Sequence, residues 1–146
     1  MIPNPSTQAL RVASWNVNSL RVRLPHVLAW LADAQPDLLG LQETKLVDDK
    51  FPRAEIEAAG YAVHYTGQPT YNGVAILAKQ SRFSEISDVM HHDPRLPDDQ
   101  RRLTALTAKD VGTGLDMRFI CVYVPNGSEV GSDKYRYKLA WLDTLE

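Results

Sequence analysis

The constraint that narrows the fold most is the pattern running from residue 10 to residue 42. Leu10 to Val17 alternates as a strand does, and Leu24, Val27, Leu28 and Leu31 then recur at helical spacing. Pro25 suits an early helix position and Pro36 closes the segment. Asp37 to Gln42 follows as an almost continuously apolar run, the signature of a strand covered on both faces. Strand, helix, strand in that order is most simply a right-handed parallel crossover, so the fold class is α/β. The run then turns polar at Gln42, Glu43, Thr44 and Lys45, which places a carboxylate and an ammonium at the end of a strand built for burial.

Downstream the pattern changes. A short helix is expected between Pro52 and Gly60, then strands at Tyr61 to Tyr65, Gly73 to Ala78, Phe83 to Val89, Arg102 to Ala108 and Met117 to Val124. Strands in succession without helices between them argue for antiparallel pairing and hence a mixed sheet. Ser132 or Asp133 can cap a last helix in which Tyr135, Leu139 and Leu142 share a face. The sequence stops at Glu146 without glycine, proline or a basic last turn, so two readings stand: a frayed C-terminal helix, or a chain cut inside a longer protein. Residues 1–9 read as a polar arm and 10–146 as one domain unit; 146 residues, 44% hydrophobic and 23% charged, exclude disorder and coiled coil.

A net charge of -2 and a pI of about 6.1 leave no overall basic field, so a nucleic-acid site must be a local patch. Cys121 is the single cysteine and lies in an apolar run, which points to a reducing compartment. The N-terminal stretch carries neither a basic nor an apolar leader segment, and no run approaches the ~18 apolar residues of a membrane span. The expectation is a cytoplasmic protein with no membrane partner.

Parallel strands present ligands at their carboxyl ends. Asn16 and Asn18 follow the first strand, Glu43 and Lys45 the second, and parallel neighbours would bring all four to one edge. A carboxylate with nearby amide oxygens suits Mg²⁺, and the lysine suits a phosphate; the competing reading is a solvated strand end. Of the four histidines, His26 and His64 fall within elements, while His91 and His92 lie in the loop HHDPRLPDDQ, a surface doublet or, with Asp93, a metal cluster. Trp15, Trp30 and Trp141 read as core or half-buried residues.

Four segments, ASWNVNSLR (13–21), LLGLQETK (38–45), YNGVAILAK (71–79) and VYVPNGSE (122–129), stand in an order and spacing that resembles the exonuclease III and AP endonuclease family. The likeness spans the chain from Leu10 and is closer to the bacterial exonuclease III branch than to DNase I or inositol phosphatase relatives. It implies a DNase I-like four-layer α/β/β/α sandwich, of which this chain would supply one lobe, a single mixed sheet with its helices. The unpaired inner face of that sheet would then favour self-association.

The resemblance also assigns roles. Glu43 matches the family's Mg²⁺ ligand, with Mn²⁺ as an alternative ion, and Asn16 the asparagine that supports the metal. Tyr123 matches a tyrosine pointing at the scissile phosphate, and Asn126 falls in the same motif. Arg21, Lys45, Tyr71, Asn72 and Arg102 match positions for backbone or groove contacts with DNA. Without the family, Tyr123 is a half-buried strand tyrosine, Asn72-Gly73 a turn dipeptide, Tyr71 a packing residue, and Arg101 with Arg102 a solvated strand start.

The implied activity is that of a Mg²⁺-dependent DNA repair nuclease incising double-stranded DNA beside abasic sites, with 3′–5′ exonuclease activity alongside. A Gly-Asp-x-Asn segment and a late Asp-His pair, which the family uses for base, metal and phosphate, are not in this sequence. Two rival expectations follow: residues 1–146 alone are a non-catalytic fragment, or the chain is a superfamily phosphodiesterase acting on lipid or nucleotide.

Overall fold

The computed structural model describes residues 9–146, so the polar arm assigned to residues 1–9 lies, but for its last residue, outside the described residues. Strand β1 (Val12–Asn16) leads into helix α1 (Leu20–Ala34) and strand β2 (Leu38–Gln42), and β1 and β2 pair in parallel with Asn16 opposite Gln42. The expected crossover is therefore present. Helix α1 begins earlier than the proline suggested, at Leu20, which leaves Pro25 in the second turn, where it removes an i→i−4 donor.

A single 3-10 turn (Asp48–Lys50) and helix α2 (Arg53–Ala58) follow, with Pro52 as the N-cap residue of α2 and Gly60 just beyond it at φ +96°. Strands β3 (Tyr61–Thr66) and β4 (Val74–Lys79) complete a first sheet of order β1-β2-β4-β3. Strands β5 (Phe83–Met90), β6 (Leu103–Asp110) and β7 (Asp116–Val122) form a second, antiparallel sheet of order β5-β6-β7. Helix α3 (Asp133–Thr144) ends the described chain.

The expectation of one sheet is corrected by this topology. A strand has two edges, and those of β4 are taken by β2 and β3. Strand β5 cannot pair with the strand it follows, and it takes neither outer edge of the sheet, β1 or β3, but starts a second sheet with β6 that packs on the inner face of the first. Burial shows the layering. Leu39 and Leu41 of β2 and Ala75 and Leu77 of β4 share a buried cluster with Val27 and Leu31 of α1. Their alternates Leu38, Val74, Ile76 and Ala78 meet Leu106, Ala108 and Cys121 of the second sheet. Period-two alternation thus serves both faces of β2 and β4, which is why each reads as continuously apolar. Gly40 is part of the fit, since a Cβ there would lie 3.1 Å from Cys121 Sγ.

On the far side Trp141 of α3, 1% exposed, packs with Leu96, Leu103, Val122, Tyr137 and Leu142. The helix is anchored through Tyr137, Trp141 and Leu142, and Leu139, 44% exposed, faces solvent, correcting the face expected from Tyr135, Leu139 and Leu142. Of the two expected cap candidates, Ser132 and Asp133, Ser132 is the cap, its hydroxyl accepting from Tyr135 N at 3.1 Å. The layers run helix, sheet, sheet, helix, the four-layer sandwich arrangement expected for the fold class. Arg82 stitches the sheets electrostatically, 3.2 Å from Asp110 and 3.7 Å from Asp37. Among the described residues no helix is long and apolar enough to cross a membrane.

Candidate active site and relatives of the chain

The carboxyl ends of β1 and β2 lie side by side, and the chain beyond them stays laddered. Val17 N donates to Gln42 O at 3.0 Å, Ser19 N to Glu43 O at 2.8 Å and Leu20 N to Thr44 O at 3.0 Å. These contacts carry Asn16, Asn18, Glu43 and Lys45 to one edge. The backbone there is unusual: Asn18, Ser19, Glu43 and Lys45 all have positive φ, at 44°, 89°, 56° and 57°. Four non-glycine residues in that region at one sheet edge mark a site whose side-chain directions are held against local preference.

Glu43 is half-buried, and its Oε1 accepts a hydrogen bond from the Tyr123 hydroxyl at 2.9 Å, across 80 residues of sequence. Burial, and then the Glu43 carboxylate, push the Tyr123 phenol above its ordinary value, so it stays protonated and acts as a donor at neutral pH. Beneath the ring, the Arg102 guanidinium carbon sits 5.0 Å from its centroid, and Arg102 Nη1 donates to Tyr123 O at 3.3 Å. Arg102 is thus the platform of Tyr123, and its stem is not a solvated strand start. Lys45 Nζ donates to Asn18 Oδ1 at 2.6 Å, which holds the ammonium beside the same edge. Asn16 Oδ1 accepts from Asn18 N at 3.1 Å.

Four other assigned residues sit further out or serve differently. Asn126 Oδ1 accepts from Ser128 N at 2.9 Å in an Asx turn after β7. Arg21, exposed at the start of α1, lines a cavity of about 290 Å³ with Lys50, Leu24, Leu46 and Pro52. Tyr71 projects from the β3–β4 loop with 68% of its surface exposed. Asn72 beside it is 6% exposed and its amide is spent on Gln68 and Gln100, so it serves the loop and offers no free surface. Gln68 and Gln100 were not singled out from sequence. Neither lies in a periodic element or a motif, and the two are 32 residues apart, so only the tertiary contact marks them.

The HHDPRLPDDQ loop is bound up internally. Asp93 is buried against Arg95, whose hydrogen bonds hold its carboxyl down at about 2, and His91 Nδ1 lies 3.2 Å from Thr104 Oγ1. Among the described residues no three His, Cys, Asp or Glu side chains gather as a metal cage. The oxygen-bearing side chains that this edge could offer a cation are the Glu43 carboxylate and the Asn16 amide, which would suit an ion that keeps most of its shell as water. Cys121 is buried, and burial raises its thiol pKa, which makes it an inert core residue.

The sequence profile described as "Endonuclease/Exonuclease/phosphatase family" matches residues 13–142, which include every side chain just described. The chain belongs to the endonuclease/exonuclease/phosphatase family. Members are hydrolases of phosphate esters, nucleases among them. Similar proteins include the exodeoxyribonuclease III of Haemophilus influenzae, 46% identical over 72 residues, 49% of this chain and 27% of that protein. Among solved structures, the 3′ phosphatase NExo from Neisseria bound to a product DNA hairpin is 46% identical with a TM-score of 0.79, covering 94% of this chain and 50% of that one. An AP endonuclease from Archaeoglobus fulgidus is 41% identical with a TM-score of 0.79, covering 94% and 49%. The chain spans about half the length of these solved relatives. The exonuclease III and AP endonuclease resemblance, and the fold class drawn from it, are thereby borne out.

Proposed function

We propose that the protein is a Mg²⁺-dependent DNA repair nuclease of the exonuclease III type, which hydrolyses the phosphodiester beside abasic sites in duplex DNA and removes nucleotides from 3′ ends. The observation that carries this reading is the Glu43–Tyr123 pair: a carboxylate at the end of a parallel strand, bridged to a phenol donor, in a chain 41% identical to an AP endonuclease. A NExo relative is described as a 3′–5′ exonuclease, which supports the second activity.

In this reading Glu43 and the Asn16 amide would hold the ion, which would supply Lewis-acid polarisation of the phosphate when bound. The Tyr123 hydroxyl has one proton: it holds the carboxylate in place here, and on substrate binding it would turn to charge developing on a phosphate oxygen. Arg102 keeps the ring in position, and Asn126 makes the turn in the loop that follows it. Lys45 and Arg21 supply point charges for the DNA backbone, and Tyr71 a flat aromatic surface for a groove or an unstacked base. The general base is assigned to none of the residues described. The lone buried Cys121 suits a cytoplasmic setting.

The test is the full-length protein on a duplex with one abasic site, with Mg²⁺ and with chelator, and on a 3′-recessed duplex. Incision that stops on chelation and falls at least a hundredfold in Glu43→Gln supports the reading. Incision indifferent to chelator, or unchanged in Glu43→Gln, removes the metal assignment. Hydrolysis of small phosphodiesters in preference to DNA would move the protein to another branch of the family.

A further inference from the structure

The β3–β4 loop, residues 67–73, holds an arrangement that the nuclease chemistry does not use. Asn72 is buried at 6% exposure, and its Nδ2 donates to Gln100 Oε1 at 2.6 Å and to Gln68 Oε1 at 3.3 Å. Gln68 Nε2 donates to the same Gln100 Oε1 at 3.1 Å. Arg101 N donates to Gln68 Oε1 at 2.7 Å, and because a backbone N–H can only donate, this contact fixes which way round all three amides stand. The three side chains share one orientation, and Gln100 takes part through its oxygen alone.

Backbone bonds extend the cluster to the candidate site. Asn72 O accepts from Lys45 N at 2.9 Å, Gly73 O from Thr44 N at 3.2 Å, and Gly73 N donates to Arg101 O at 2.9 Å. Arg102, the next residue, carries the Tyr123 ring. Three segments, 44–45, 68–73 and 100–102, are thus joined at one knot of amides, directly after Glu43. What stands out of the knot is Tyr71, 68% exposed and flanked by Thr70 and Asn72 at φ 71° and 58°. A loop with two such residues on either side of a third needs an external clamp to stay in one conformation.

We propose that Gln68, Asn72 and Gln100 form a positioning clamp that fixes Tyr71 relative to the Glu43–Tyr123 pair, and so selects which phosphodiester of a bound duplex faces that pair. The Tyr71–DNA half of this inference rests on the nuclease reading above. The clamp itself rests only on the geometry.

Substitutions at Gln100 separate the oxygen from the bulk. Gln100→Glu keeps an acceptor for both amide donors, whereas Gln100→Met keeps the length and loses it. In the full-length protein, NMR order parameters for the Thr70 and Tyr71 amides should stand near ~0.85 in the native protein and in Gln100→Glu, and fall below ~0.6 in Gln100→Met. Amides next to Asn16 and Glu43 should keep their values. Unchanged order at Thr70 and Tyr71 in Gln100→Met, or equal mobility in both variants, overturns the clamp.

On a duplex with one abasic site, Gln100→Met and Tyr71→Ala should each weaken binding about tenfold, the scale of one lost aromatic–base contact, and the double variant no further. Incision by Gln100→Met should spread to neighbouring bonds. Losses that add in the double variant would show that the clamp does not act through Tyr71. If the native protein fails to bind the duplex, the nuclease reading falls, and the order parameters still decide the clamp.

Discussion

Gly73→Ala is a substitution whose cost the structure allows to be divided into parts. Gly73 has φ +91°, and a Cβ built there would lie 2.1 Å from Thr44 Oγ1 and 3.2 Å from Lys45 N. Gly60, at φ +96°, has nothing within 4 Å of the same construction and is the internal control. Alanine at either position bears about 1–2 kcal/mol of left-handed backbone strain. Part of this is offset by the lost freedom of the unfolded chain, about 0.4–1 kcal/mol. At Gly73 a steric cost adds to it, because Thr44 is 1% exposed and has no room to withdraw; overpacking of this kind costs about 1–3 kcal/mol. Gly73→Ala should therefore lose about 2–4 kcal/mol in urea unfolding, and Gly60→Ala about 1 kcal/mol or less.

The residues on either side of Thr44 are Glu43 and Lys45, so the same clash displaces the carboxylate at the candidate site. Metal-dependent incision should fall in Gly73→Ala under conditions where the variant is folded, and should be untouched in Gly60→Ala. Placing Gly73→Ala in a Thr44→Ala background removes the hydroxyl and should bring its cost down toward that at Gly60, leaving the 3.2 Å contact with Lys45 N. Equal losses at the two glycines, or no relief in the Thr44→Ala background, would refute the steric account.

Arg82→Met removes the cation between Asp37 and Asp110, whose side chains are 11% and 2% exposed. Both carboxylates keep a backbone donor, Arg11 N and Gly112 N, so the loss should sit at the low end for a broken buried pair, about 3 kcal/mol by urea titration. Tyr123→Phe should leave unfolding within about 1 kcal/mol of native and lower incision at saturating DNA, read as kcat at unchanged KM, because it removes one donor to Glu43. Below neutral pH, Asp93 (held at about 2 by Arg95) and Asp110 (held low by Gly112 N and Arg82 against the opposing effect of burial) both have folded values under the unfolded one. Their contribution is present above pH ~4 and lost as pH falls toward ~2, so the urea midpoint should drop across that window, less steeply in Asp93→Asn.

Much of the placement of the candidate residues was legible before the fold. Glu43 could be placed at a strand end because an apolar run stops there, and the expected parallel pairing brought Asn16 and Lys45 to the same edge, where the ladder from Val17 to Leu20 carries them. The half-burial of Tyr123 also followed from its place between Val122 and Val124. What its hydroxyl meets did not, since the Glu43–Tyr123 bond spans 80 residues and two sheets. Gln68 and Gln100 carried no signal at all, because a loop glutamine looks the same whether it is solvated or locked.

The sequence by itself determined the elements: the crossover unit, the strand succession, the start of the last helix at Ser132 or Asp133 and the four ordered segments that mark the family. Periodicity and capping are local, acting over one or two turns or a few strand residues, so they are written in neighbouring positions. Only the tertiary structure decided that β5 leaves the first sheet, that Arg102 lies under Tyr123, and that three distant amides hold the loop of Tyr71. Alternation tells a strand which of its faces is buried and says nothing of what will cover it. The partner is settled by edge occupancy and packing, quantities that exist only once the whole chain has closed.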